Sequence, residues 1–326
     1  RMTAYLVRRL LYALPILVGV NIITFLLFFV VNTPDDMARM QLGERHVTQA
    51  SIDKWKAERG YDRPLLWNGD AAGTDKLTDT LFATSTVRLF TFDFGLSDGG
   101  RDIGADLRQR MGPSLAIAVP VLLFQLVTAL AWSLAVAWLR GSRFDVWSVL
   151  VCVAMMSVSG LFYIIGGQYL VAKLWRLVPI SGYDTGFAAL KFLLLPVLIG
   201  TLIALGPNVR WYRTLFLEEM GREYVRMARA KGLSEARVMF AHVLRNALIP
   251  ILTGVVVLLP SLFLGALITE AFFAVPGLGS YTIDALQAQD FAIVRTMVFL
   301  GSLLYIVGLL LTGLSYVMAD PRVRLG

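Results

Sequence analysis

Long apolar runs alternate with polar segments along this chain. Six stretches, roughly 10–31, 112–139, 146–172, 191–209, 247–269 and 296–318, are long and apolar enough to cross a hydrocarbon core of about 30 Å. Backbone groups cannot go unpaired in lipid, so each stretch predicts a helix, and the chain reads as an all-α membrane protein. Pro120, Pro196 and Pro260 predict kinks in the helices that hold them. The fourth stretch is the weakest, because Pro196, Gly200 and Gly206 interrupt it and Pro207 closes it.

The polar segments divide the chain. Residues 32–111 form a segment of about 80 residues, too long for a bare connector. Trp55, Trp67, Phe82, Phe90 and Phe94 are scattered through it. Within it TQASIDKWKAER at 48–59 predicts a short helix with Thr48 as its cap, and NGDAAGTD at 68–75 is turn chemistry. The expected organisation is an N-terminus and first span at 1–31, a small external subdomain at 32–111, and a five-helix core at 112–326 with a polar loop at 210–246.

Charge orients this arrangement. Only 16% of the 326 residues are charged against 57% hydrophobic, where a soluble domain carries about a quarter charged. The net charge of +7 needs no nucleic acid to explain it, since basic residues flanking membrane spans set orientation. Arg8 and Arg9 precede the first span, Arg140 and Arg143 lie in the second short loop, and Arg322 and Arg324 are in the tail. The loop between spans four and five holds Arg210, Arg213, Arg222, Arg226, Arg229, Lys231, Arg237 and Arg245 against Glu218, Glu219, Glu223 and Glu235. The loop after span five has Glu270, Asp284 and Asp290 against Arg295. Every short loop thus predicts six helices with both ends inside, and the long 32–111 loop is exempt from the rule. The apolar run at 10–31 exceeds a signal h-region, and no small-x-small site follows it, so it predicts a retained helix. Cys152, the single cysteine, falls within an apolar run and predicts packing.

Several chemistries find no residues. Asp, Glu, Lys, Arg and His are missing between the ends of all six stretches, where ion-coupled carriers place their relays. No TVGYG filter occurs, and no G-x-x-x-x-G-K-[ST] phosphate loop. His46 and His242 lie in predicted loops and no HExxH exists, so neither a catalytic set nor a metal site is expected. A transporter of this kind takes its energy from another subunit.

Such a subunit needs a rigid element to push. In EYVRMARAKGLSEARVMFAHVLRNALIP, residues 223–250, two helices meet at Lys231–Gly232–Leu233. Gly232 suits the left-handed residue that ends a helix, with Lys231 beside the C-terminal dipole. Ser234 is placed to cap the next helix, with Glu235 in its first turn. In that helix Phe240, Val243, Leu244, Ala247, Leu248 and Ile251 follow helical spacing. The small residues Ala228 and Ala230 would let a partner approach the backbone. A basic amphipathic helix lying on anionic lipid would read the same way.

The same segment resembles the coupling loop of ABC importer permeases. ARAKGLS at 228–234 followed by HVLRNALIP at 242–250 is similar to the dipeptide/oligopeptide/nickel permease family, B-type subunit. YLVRRLLYALPILVGVNIITFLL at 5–27, FDFGLS at 92–97, EAFFAVPGLGSYTIDALQAQDFAIV at 270–294 and YVMADPRVRLG at 316–326 extend the resemblance over nearly the whole chain. NTPDDMARM at 32–40 departs from it by lacking a Gly-Asp-Pro turn, and 65–91 is remodelled.

The resemblance implies a non-enzymatic permease of the bacterial inner membrane. It implies a second homologous C-type permease, two ATPase subunits that hold ATP and Mg, and a periplasmic or surface-tethered substrate-binding protein as partners, with no cofactor in this chain. It assigns coupling to Glu223, Tyr224, Ala228, Ala230, Lys231, Gly232 and Leu233, and loop support to His242, Arg245, Asn246 and Pro250. A short peptide is the implied substrate, with nickel, glutathione or another small solute, or a non-transporting scaffold role, as alternatives. Asn21, Thr24, Gln125, Thr128, Ser157, Ser159 and Gln168 are candidate polar lining of the pathway. Each could equally be an interhelical hydrogen bond, worth about 0.6 kcal/mol on average in a membrane protein.

Overall fold

The computed structural model describes residues 2–43 and 47–319, with side chains from Val7 to Ser315 apart from Arg9. His46, Arg322, Arg324 and most of the 316–326 motif lie outside the described residues. Among these residues regular structure is helical, with one isolated β-bridge between Leu96 and Asp102. Five helical segments are long and apolar enough to cross a membrane, and a bent pair makes a sixth if it counts as one span. The first, Leu10–Val31, has only 22% of its apolar window buried, leaving most of its side chains for lipid. The chain divides into two compact units, 1–111 with 281–310 and 112–280 with 311–326.

The first unit opens with α1 (Met2–Leu26), which ends in a π-helical turn, Leu27–Val31. Thr33 then caps α2 (Pro34–Leu42) through a reciprocal box, its hydroxyl accepting from the Asp36 N–H while the Asp36 carboxylate accepts from Thr33 N–H. Thr48 caps α3 (Gln49–Arg59) as expected, accepting from Ser51 N–H, and Gly60 ends it in the left-handed region. Two short helices follow, α4 (Asp75–Thr78) and α5 (Leu81–Ser85), and then a 3-10 turn, Val87–Thr91. The first residues of α6 (Ile103–Trp138) also belong to this unit. Phe25, Phe29, Met37, Ile52, Trp55, Tyr61 and Leu81 form its core. The 32–111 segment therefore builds its core on α1 rather than alone.

In the second unit Pro113 and Pro120 lie within the continuous α6. Ser142 caps α7 (Arg143–Ser157) through Asp145 N–H, and α8 (Gly160–Gly167) follows and runs into a π-helical stretch, Gln168–Leu174. The expected third span is broken here: α7 and the helix from Gly160 to Leu174 differ in direction by 88°. The Val158–Ser159 pair takes extended φ/ψ, which unpairs one turn of the ladder and turns the chain. The expected stop at Pro207 also fails, since α9 runs Ala189–Met220. A proline removes one ladder donor, and packed neighbours absorb that loss in membrane bundles. The polar loop accordingly starts near Gly221 rather than at 210.

Then come α10 (Glu223–Ala230), α11 (Glu235–Arg237), a π-helical stretch, Val238–Leu244, and α12 (Arg245–Leu258). Pro260 breaks this span instead of kinking it, opening a 3-10 turn, Pro260–Leu264, before α13 (Leu267–Phe272). Finally α14 (Leu278–Gln287) and α15 (Phe291–Ala319) close the chain, their residues divided between the two units. The main core of the second unit gathers Ala129, Leu134 and Ala137 of α6, Val209, Tyr212 and Phe216 of α9, and Val238, Met239, Val243, Ala247 and Ile251.

Candidate functional site

The segment 219–251 is built as a clip on the end of α9. Val225 and Ala228 of α10 are buried in the main core of the second unit. The opposite face of α10 exposes Glu223, Arg226, Met227, Arg229 and Ala230, followed by Lys231 and Gly232. The helix ends as its sequence predicts. Gly232 has φ +77°, its N–H donates to Arg229 carbonyl at 2.9 Å, and Leu233 N–H reaches Ala228 carbonyl at 3.3 Å. Those two bonds and the half-buried Leu233 packed on the core make a Schellman end. The turn is also held from outside, because Arg229 and Glu235 pair across it at 2.8 Å.

Three expectations for this element change. Ala228 faces the core at 4% exposure, so of the two small residues only Ala230 is open to a partner. Ser234 has the backbone of a cap but makes no side-chain cap bond. Phe240 is exposed and stacks edge-on to Trp138 with centroids 6.2 Å apart. The π-helical stretch at 238–244 widens the turn and puts Met239 in the place expected for Phe240, while Val243, Ala247 and Ile251 are buried as expected.

The supporting residues tie the clip down. The Tyr224 hydroxyl donates to the Glu219 carboxylate at the end of α9. Burial, and then the hydrogen bond to Glu219, push that hydroxyl up to about 12, so it stays a donor. Asn246 donates to the His242 carbonyl at 2.9 Å. Half-buried His242 lies in the π-helical stretch, exposed Arg245 begins α12, and Pro250 is inside it.

Most of the candidate pathway residues are held by hydrogen bonds within their own unit. Asn21 donates to Leu17 carbonyl at 2.7 Å, Thr24 to Val20 at 2.8 Å, and Ser157 to Val153 at 2.8 Å. Gln125 accepts from the Asn208 amide, and Thr128 bonds Phe124 carbonyl at 2.6 Å. Gln168 donates to the carbonyls of Ile180 (3.1 Å) and Phe272 (3.0 Å), bracing a loop and the end of α13. Ser159 makes no cap bond at the start of α8.

Two polar clusters escaped the sequence reading. In the second unit Glu270 is completely buried. Its carboxylate accepts from the Ser114 hydroxyl (2.8 Å) and from the N–H groups of Ala266 (3.0 Å), Gly279 (2.7 Å) and Ser280 (3.1 Å). It thereby satisfies buried N–H donors in the first turn of α14. Gly279 must be glycine for this, since a Cβ there would lie 2.8 Å from the Ala266 carbonyl carbon. The signal was present in EAFFAVPGLGS, an acid followed by closely spaced glycines. In the first unit Asp98 and Asp290 lock reciprocally. Asp290 accepts from Asp98 N–H (3.1 Å), while Asp98 accepts from Phe291 N–H (3.0 Å) and from the Tyr61 hydroxyl (2.8 Å).

Comparison with known proteins shows the family of the chain. The family described as binding-protein-dependent transport system inner membrane component matches residues 128–325, and its N-terminal counterpart matches 2–68. A putative peptide transport system permease protein of Brucella abortus (strain 2308) is 30% identical over 336 residues, covering 99% of both chains. The dipeptide transport system permease protein of Escherichia coli (strain K12) is 29% identical over 351 residues, again 99% of each. A di/tripeptide transport system permease protein of Pseudomonas aeruginosa (strain UCBPP-PA14) is 29% identical over 359 residues. The chain belongs to the binding-protein-dependent ABC importer permeases. It is a multi-pass protein of the bacterial inner membrane and a transport component rather than an enzyme.

Proposed function

We propose that this permease forms half of the translocation path of an importer for dipeptides and short oligopeptides, driven by ATPase subunits that dock on α10. In this reading the chain crosses the membrane six times with both ends inside. A second homologous permease completes the path, two ATPases grip the paired coupling helices, and a substrate-binding protein delivers at the outer face. The peptide substrate is supported by the names of the relatives, which carry peptide transport at 99% mutual coverage.

The observation that carries the coupling role is the two-faced build of α10. Its inner face is locked into the core by Val225 and Ala228. Its outer face offers Met227, 60% exposed, and Ala230 among Glu223, Arg226 and Lys231. A helix braced on one side transmits a push without folding under it, which ATP-driven rocking of a bundle requires. The charges on that face give the docking register and the small residue permits close approach.

Reconstitution of the permease pair with its ATPases and binding protein in liposomes tests this. The expected result is ATP-dependent accumulation of a labelled dipeptide inside, abolished when the ATPases are omitted. ATPase subunits that fail to co-purify with the permease would refute the coupling role.

A further inference from the structure

The first unit contains a cavity of about 780 Å³, within the range that takes small ligands. Its wall comes from the end of α3 and the loop beyond it, the 3-10 turn after α5, the turn at Ser97–Gly100 and the first turns of α15. Arg59, Arg63, Arg88 and Arg295 all line it.

Two of these arginines are satisfied by acids near the surface, while Arg59 lies 4.5 Å over the Trp55 ring and keeps a buried Nε with no hydrogen-bond partner among the described residues. Arg63 pairs with Asp79 at 2.9 Å, Arg88 with Asp93 at 2.7 Å, and Arg59 stands 3.7 Å from Glu58. Arg295 is different. It is 6% exposed, with its guanidinium 4.6 Å from the centroid of Phe29 and 5.7 Å from that of Tyr61. Nη2 donates to the Tyr61 hydroxyl at 3.2 Å. Nη1 is buried and has no hydrogen-bond partner among the described residues, and no ion pair to Arg295 forms among them. The nearby carboxylates are committed elsewhere: Asp98 to Tyr61 and Phe291, and Asp290 to the N–H groups of Asp98, Gly99 (3.4 Å) and Ile293 (3.3 Å). Burial, and then the Asp290 charge, push the Asp98 carboxyl up, while its hydrogen bond from Tyr61 and the Arg295 charge pull it back.

An arginine stays charged at any accessible pH, and a buried guanidinium with an unfilled donor is expensive to maintain. Its planar fork matches a carboxylate, whose two oxygens can take paired N–H donors. We propose that this cavity is a binding site for a small ligand held by its carboxylate, with Arg295 as the anchoring cation and Arg88 at the rim. Given the peptide-import reading on which the ligand class rests, that carboxylate is the free C-terminus of a short peptide.

Calorimetric titration of the full chain in lipid nanodiscs tests the site directly, with alanyl-alanine and alanyl-alanine amide as probes. The free acid is expected to bind saturably and at least about tenfold tighter than the amide, a difference of about 1.4 kcal/mol. Arg295→Gln should remove that preference. Arg88→Gln, at an exposed position where folding is not at stake, should lower affinity for the acid several-fold and leave the amide unchanged. Equal binding of acid and amide, or an acid preference that survives Arg295→Gln in a folded variant, overturns the site. So does absence of binding by either probe. Uptake in the reconstituted importer is measured alongside: a failed titration with intact uptake removes this site and leaves the transport function standing.

Discussion

Arg229 and Glu235 face each other across the turn at Lys231–Gly232–Leu233 and close it with two contacts, Nε to Oε1 at 2.8 Å and Nη2 to Oε2 at 3.3 Å. The pair is exposed, so it contributes only about 0.2–1 kcal/mol to stability. Its geometric effect is larger, since it fixes the angle at which α10 leaves the π-helical stretch that follows α11.

Reversing one partner should therefore affect coupling more than folding. Glu235→Arg is expected to leave the melting temperature within a degree or two. It should raise the ATP hydrolysed per peptide imported several-fold, and the swap Arg229→Glu with Glu235→Arg should restore the ratio. Transport and hydrolysis measured on the same liposomes give that ratio.

At Gly232 the φ of +77° is reached by side-chain-bearing residues at a cost of about 1–2 kcal/mol, more for a β-branched one. Gly232→Val should unseat the Schellman end, and Gly232→Pro should do so more severely because it also removes the N–H given to Arg229. Both variants are expected to insert in the membrane and to lose most ATP-driven uptake. Uptake at the wild-type rate by folded Gly232→Pro would contradict a lever at this turn.

The two alanines of α10 should behave oppositely. Ala228→Glu places a charge in the core beside Val225 and Met239, and is expected to reduce the yield of folded permease severely. Ala230→Trp lies on the exposed face and should fold normally while reducing co-purification of the ATPase. Size-exclusion chromatography separates the two outcomes.

Removal of the Glu270 carboxylate should be costly for stability. Glu270→Ala leaves the Ser114 hydroxyl and three N–H groups without their acceptor, at about 1–3 kcal/mol for each group left buried and unpaired. Glu270→Gln keeps one good acceptor and should lie between it and wild type. Thermal unfolding followed by circular dichroism in detergent checks the order.

Alkaline pH should loosen the first unit through Tyr61. Burial raises this hydroxyl from 10.0 to about 12, so the folded state holds its proton more tightly than the unfolded one. The stabilisation is complete below pH 10 and lost as pH rises through about 12, with a total on the order of 3 kcal/mol. Tyr61→Phe should abolish that step. Trp55, whose ring centroid lies 5.6 Å from that of Tyr61, reports it by fluorescence.

Much of this architecture was legible because it rests on local chemistry. The apolar runs specify helices, Thr48 caps α3, and Gly232 ends α10. What escaped depends on distant partners or on irregular helix. Glu270 read as a loop acid because Ser114 is 156 residues away, and Arg295 because Tyr61 is 234 residues away. The run VLVCVAMMSVSGLFYIIGG is apolar throughout, and only Ser157–Gly160 hinted at the break between α7 and α8. Pro207 read as a terminator, yet α9 passes it because neighbouring helices supply the packing that a sequence window omits. The π-helical stretch buries Met239 where a 3.6 period places Phe240, while Val243, Ala247 and Ile251 keep their expected burial.

That 88° corner between α7 and α8 governs the parity of everything after it. Counted as one traverse, as in the topology proposed above, it brings α9 back inward and delivers α10 to the compartment where nucleotide is available. Were the same corner a dip that returns to its own side, α9 would run the other way and α10 would emerge outside, beyond reach of any ATPase. The proposed sidedness of the C-terminal half therefore turns on how the chain passes Val158 and Ser159. A cysteine introduced at Ala230 and labelled from one side at a time reads that sidedness directly.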